Sequence, residues 1–197
     1  MAISTYSELQ TAIANWINDD NLGTVIPDFI KLAEARIATD FKSQHLVSVT
    51  NITVDAASEA LPSNNKGIIS AHLNTNPKQV LDYMPPDEFD SRYGSNETGK
   101  PLAYTIKGQT IYFLPSPDST YTCVLSHYAT PNIETDLTNS LLTNFPNLYL
   151  FASLAEAAIY VDEDPSRWEV KYNQALDAAM DEDRLVGALA IQLDNVP

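Results

Sequence analysis

The chain has 197 residues, a single cysteine, and 26 acidic against 11 basic residues, for a net charge of −15. That balance removes the means for tight duplex binding, which needs Lys and Arg to neutralise phosphates. One cysteine makes an internal disulfide impossible, and no apolar run approaches the ~18 residues of a membrane span. A globule of this size buries roughly 70% of its unfolded surface and folds without staples, so one domain is expected. The N-terminus lacks a basic stretch followed by an apolar one. No signal peptide or anchor is expected, and folding in a cytoplasm is.

In chain order, Thr5-Tyr-Ser-Glu8 matches a capping box, in which hydroxyl and carboxylate each satisfy an orphan backbone N–H. Leu9, Ala12, Ile13 and Trp16 then repeat at i, i+3, i+4 and i+7, one apolar stripe of a helix. Asn18 to Gly23 ends it with turn residues. A second helix is expected from Pro27, with Phe29, Ile30, Ala33, Ile37 and Phe41 buried and Lys31, Glu34 and Asp40 on the wetter side. From Gln44 to Pro131 the period shortens. Ile52 and Val54 alternate with Thr; Ile68, Ile69, Leu73, Val80 and Leu81 form short apolar patches. Tyr104–Lys107 and Thr110–Leu114 read as a hairpin closed by Gly108-Gln109. Pro115 to Asp118 reads as a turn and Tyr121 to Tyr128 as another strand, while Pro85 to Asp90 opens a short helix. Pro146 opens a helix whose face carries Tyr149, Ala152, Ala155, Ala158 and Ile159. Asp164 and Pro165 start a last helix with the stripe Trp168, Tyr172, Ala175, Leu176 and Ala179. Beyond Asp183 the pattern loosens.

The chain carries no phosphate-cradling or nucleophile-elbow motif. His45, His72 and His127 have no metal-ligand spacing, and Cys123, inside an apolar strand, reads as a buried structural thiol. No catalytic residue, metal or cofactor is expected. Two acidic runs, Asp19-Asp20 and Asp162-Glu163-Asp164, could hold a hard cation, but they stand where helices end and begin, and capping accounts for them. Tyr104, Tyr112, Tyr121 and Tyr128 have only Lys107 nearby. They read as strand packing rather than a base-stacking platform.

Ser7 to Trp16, followed by Ile26 to Ile37, closely resembles the opening helical hairpin of phage head-to-tail adaptor proteins. Leu81 to Phe89, Pro101 to Ile106, Ile111 to Asp118, Leu141 to Leu150, Ala155 to Tyr160 and the Trp168 region follow that family's order, so the resemblance spans residues 3 to 180. The chain itself reads as one α+β unit, a bundle of two helical hairpins (1–43 and 132–183) with an inserted antiparallel β region (44–131) and a C-terminal arm (184–197). The resemblance, which does not extend to Asp181–Pro197, implies the same helical bundle with an inserted β region. It also implies a non-enzymatic ring, usually dodecameric, that docks on the portal protein and joins it to the tail tube or nozzle, with DNA passing through its centre. The protein would work in the virion neck after assembly in the host cytoplasm. Alternatives are another neck or tail completion protein, or a cytoplasmic enzyme or small-molecule-binding domain with its site hidden in the fold. Within the adaptor reading, Leu185, Leu189, Ile191 and Leu193, apolar near a chain end, are candidates for docking on the portal or a neighbouring subunit. Asp19, Asp20, Asp162, Glu163 and Asp164 are candidates for facing the channel, where like charge would keep DNA from adhering.

Overall fold

A computed structural model describes residues 3–17, 20–92 and 97–193, with side chains at 20, 21, 92 and 186–193 excepted. Its elements are α1 (Tyr6–Ile17), α2 (Ile26–Asp40), β1 (Val47–Val54), β2 (Ser58–Ala60), β3 (Asn65–Leu73), β4 (Gln79–Val80), β5 (Asp82–Tyr83) and α3 (Pro86–Arg92). There follow β6 (Thr98–Gly99), β7 (Ala103–Lys107), β8 (Thr110–Leu114), β9 (Ser116–Pro117), β10 (Tyr121–Ala129), α4 (Ile133–Asp136), α5 (Ser140–Asn144), α6 (Pro146–Tyr160) and α7 (Ser166–Leu193). They fall into two compact units: one of residues 1–46 with 130–197, the other of residues 47–129.

In the helical unit, α1 starts as its capping box requires. The Glu8 N–H donates to Thr5 Oγ1 at 3.3 Å, and the Thr5 N–H to Glu8 Oε2 at 3.1 Å. α6 is the hub, packing against α1, α2 and α7. Its alanines let neighbours approach closely, so Leu148, Tyr149, Ala152, Leu154, Ala155, Ala157 and Ala158 are all buried. α2 supplies Phe29, Ile30, Ala33 and Ile37 to that core, and α7 supplies Trp168, Tyr172 and Ala179.

The other unit holds a sheet of order β1-β10-β3-β4, entirely antiparallel, and a sheet of order β2-β8-β7-β5. Val54, Ala71, Leu73, Cys123 and Leu125 of the first meet Tyr104, Ile111 and Phe113 of the second in one core. Alternation along β10, with Cys123, Leu125, His127 and Ala129 inward, is what the period-2 rule demands of a strand with one buried face. The hairpin β7–β8 closes with Lys107 opposite Thr110, and Gly108 takes the left-handed conformation, φ 64°, that the tight turn requires.

This architecture corrects the expected helical bundle with an inserted antiparallel β region. The β part is a compact unit with its own two-sheet core, and the fold is α+β with seven α-helices and three sheets among the described residues. Nor is it purely antiparallel: β5 pairs with β7, and β6 with β9, in parallel. The physical reason is segment length. Several strands have two or three residues, too few to display a period, yet each extends a sheet. Pro115 to Asp118, expected as a plain turn, contributes β9 in this way.

Candidate functional site

The expected docking residues sit on α7. That helix runs without interruption past Asp183, where the apolar pattern loosens, to Leu193. Its last buried described residue is Ala179, and Leu185 is 65% exposed. The side chains of Leu189, Ile191 and Leu193 lie outside the described residues.

Of the acidic candidates, Asp162, Glu163 and Asp164 come together in the turn between α6 and α7. Asp162 takes a left-handed φ of 59°, and the Glu163 N–H closes the end of α6 on the Ala158 carbonyl at 2.8 Å. Asp164 Oδ1 accepts from the Ser166 N–H at 3.0 Å and its hydroxyl at 2.6 Å, which holds the carboxyl below its ordinary value. Local turn and capping geometry thus accounts for Asp162, Glu163 and Asp164. Asp19 lies outside the described residues, as does the side chain of Asp20, which opens a short 3-10 turn (Asp20–Thr24). Asp164 and Leu185 are about 30 Å apart along the helix axis at 1.5 Å per residue, so these candidates do not form one site.

Sequence reasoning missed three features. Glu34, expected on the wet side of α2, is buried at 4% exposure. It accepts from the Ile133 N–H at 2.8 Å and from the Tyr149 hydroxyl at 3.3 Å. Tyr149 in turn accepts from Asn139 at 2.8 Å. Burial raises the Glu34 carboxyl from 4.5 to about 7 against the pull of its two donors. The spacing of α2 put Glu34 one residue from Ala33 on the buried arc, but only the tertiary fold brings the unpaired N–H of Ile133 to it.

The second feature is a polar knot between α2 and α7. Arg36 grips Glu169 through two nitrogens, at 2.8 and 2.6 Å, and its guanidinium lies 4.2 Å from the centre of the Tyr172 ring. The Tyr172 hydroxyl donates to Asp40 at 2.9 Å. Hydrogen bonding to Arg36 holds Glu169 below the usual carboxylate range.

The third is an aromatic cluster. Trp16 lies 5.5 Å from Trp168 and 6.1 Å from Phe151, ring centre to ring centre. Trp168 is buried as its stripe predicts, whereas Trp16, expected in the core, is 49% exposed because its stripe runs out at the end of α1. Beside Trp16 a groove of about 350 Å³ is lined by Ile3, Ala12, Asn15, Trp16, Asn147 and Leu150. Two exposed cations cap the aromatics: the Arg167 guanidinium is 4.0 Å from the Trp168 ring centre, and Lys171 Nζ is 5.4 Å from that of Phe151.

The remaining chemistry-bearing residues are scattered. His45 Nδ1 meets Ser140 Oγ at 2.7 Å, while His127, buried in β10, meets Thr50 at 3.2 Å, and His72 lies apart from both in β3. Burial pushes the Cys123 thiol up to about 11, as for a structural thiol. Among the described residues no group of three or more His, Cys, Asp or Glu could hold a metal ion, and no helix is long and apolar enough to cross a membrane.

The exposed features are thus Leu185 on α7, the groove beside Trp16, the cations Arg167 and Lys171 over Trp168 and Phe151, and the acidic turn. No curated protein matches the chain. The family model described as SU10 adaptor protein matches residues 4–192. With nearly its whole length covered, the chain belongs to the SU10 adaptor protein family, structural head-to-tail adaptors of phages.

Proposed function

We propose that copies of this chain assemble into a ring, a dodecamer by family resemblance, that docks on the phage portal protein and joins it to the tail at the virion neck. Genome DNA passes through the channel without being bound tightly. The observation that carries this reading is the family match over residues 4–192. The net charge of −15 supports it, since an acidic ring repels phosphates rather than retaining them. At physiological salt the screening length is ~8 Å, so only charges lining the bore act on the passing duplex. Asp19, Asp20, Asp162, Glu163 and Asp164 are our candidates for that lining. The tip of α7, with Leu185, Leu189, Ile191 and Leu193, is the candidate for docking on the portal or a neighbouring subunit. The role needs no catalytic group and no cofactor. Electron microscopy of the protein mixed with the portal of the same phage tests the reading. A ring seated on the portal is expected; a protein that never joins the portal, or a bore lined mainly by Lys and Arg, would overturn it.

A further inference from the structure

We infer that residues 130–139 form a strap on the helical unit, shut while the Glu34 carboxyl keeps its proton and released when that proton leaves. The strap begins at Thr130, where the chain re-enters this unit, and its centre is the single turn of α4. Glu34 grips it from α2. Its Oε1 accepts the Ile133 N–H at 2.8 Å, and Tyr149 of α6 donates to the same oxygen at 3.3 Å. The Ile133 side chain beside that contact is wholly buried.

The surroundings favour the neutral acid. Glu34 is buried, and no Lys or Arg stands within ion-pair distance of it among the described residues. A carboxylate in such a place is costly. The groups that face it make the charged form worse. From α4, Glu134 and Asp136 add negative charge. Tyr6 of α1 and Tyr149 of α6 are both held above the ordinary tyrosine value by burial, so they stay neutral. Lys31, on α2 itself, is taken up by Glu134 at 3.0 Å.

The rest of the strap is held lightly. The Lys31–Glu134 pair is about half exposed, and such pairs contribute little. Leu137 takes a left-handed φ of 61°, unfavourable for any residue with a Cβ, and its side chain lies in solvent. Two hydrogen bonds tie the strap to the start of the chain: the Tyr6 N–H donates to the Leu137 carbonyl at 2.8 Å, and the Thr138 hydroxyl to the Ser4 carbonyl at 2.7 Å. Losing the Glu34 proton sets a buried charge beside two carboxylates on this segment. Lifting the strap returns Glu34 to water and takes Glu134 and Asp136 away from it. The shut state holds a carboxyl raised by desolvation to about 7, and the open state one near its ordinary 4.5. Closure is therefore fully favoured below 4.5 and is progressively lost as pH rises to 7. Release uncovers Ile133 and slackens the chain's return into the unit.

Amide hydrogen exchange of the full chain, followed by NMR at pH 5 and pH 7 and corrected for the intrinsic rate at each pH, tests the strap. The opening constant read at Ile133, Thr135 and Leu137 should be about fortyfold larger at pH 7. Low urea should leave that opening unchanged, because it exposes little surface, while it speeds the slower exchange of Leu154 and Ala155 in the core of α6. Glu34→Gln should abolish the rise. Titration of the wild-type Glu34 carboxyl by carbon NMR needs no variant and should show a midpoint near 7. Strap amides equally protected at both pH values, strap amides that exchange only together with α6, or a Glu34 midpoint near 4.5 would each overturn the inference.

Discussion

Burying Glu34 makes the helical unit's stability depend on pH. In the folded chain its carboxyl is raised from 4.5 to about 7, with desolvation as the largest cause. The folded state therefore holds a proton that the unfolded state has released, and stability falls as pH rises between those two values. Below 4.5 both states are protonated and the folded one suffers no penalty; above 7 the buried carboxylate is charged and the whole penalty is present. At 1.36 kcal/mol for each pH unit, the difference amounts to about 3 kcal/mol. Glu34→Gln keeps an oxygen to accept from Ile133 and Tyr149 and removes the titration. Urea unfolding of both proteins at pH 5 and pH 8 measures it. The wild type should lose about 2.5 kcal/mol relative to the variant between the two conditions, since at pH 5 the unfolded carboxyl is already partly ionised. Every other titratable group is common to both proteins, so its contribution cancels in the difference. Parallel pH profiles for the two would refute the assignment of Glu34 as a buried, proton-holding carboxyl.

Arg36→Lys should cost about 1–2 kcal/mol in chemical denaturation, since an ammonium cannot reproduce the two-pronged grip on Glu169 and the stacking on Tyr172. Trp168→Ala should cost about 3–5 kcal/mol and leave a poorly folded chain, whereas Trp16→Ala, at a half-exposed site, should cost less than half as much in the same thermal melts. Gly108→Ala should destabilise by about 1 kcal/mol, because its φ of 64° is strained for any residue with a Cβ. Deleting residues 185–197 should leave the melting point of the monomer near wild type, because the last buried described residue of α7 is Ala179, yet abolish assembly on the portal.

What the sequence determined by itself was whatever is encoded locally. The Thr5–Glu8 box, the Gly108 turn, Pro146 at the start of α6 and the stripe through Trp168 and Tyr172 each depend on residues within a turn or two of one another, and each appears where its pattern puts it. The net charge and the missing catalytic motifs were equally plain, and the ordered family segments pointed to an adaptor. What only the tertiary structure decided depends on partners distant in sequence. Two-residue strands have no period to read, so the extent of the β unit waited on pairings such as β6 with β9. Glu34 looked like a wet residue until the fold brought up Ile133, 99 positions away, and Arg36, whose visible partner is Asp40 one turn on, is gripped by a Glu169 that lies 133 positions away. Burial and charge pairing are properties of the space around a side chain, and a helix pattern reports only which way that side chain leaves its own helix.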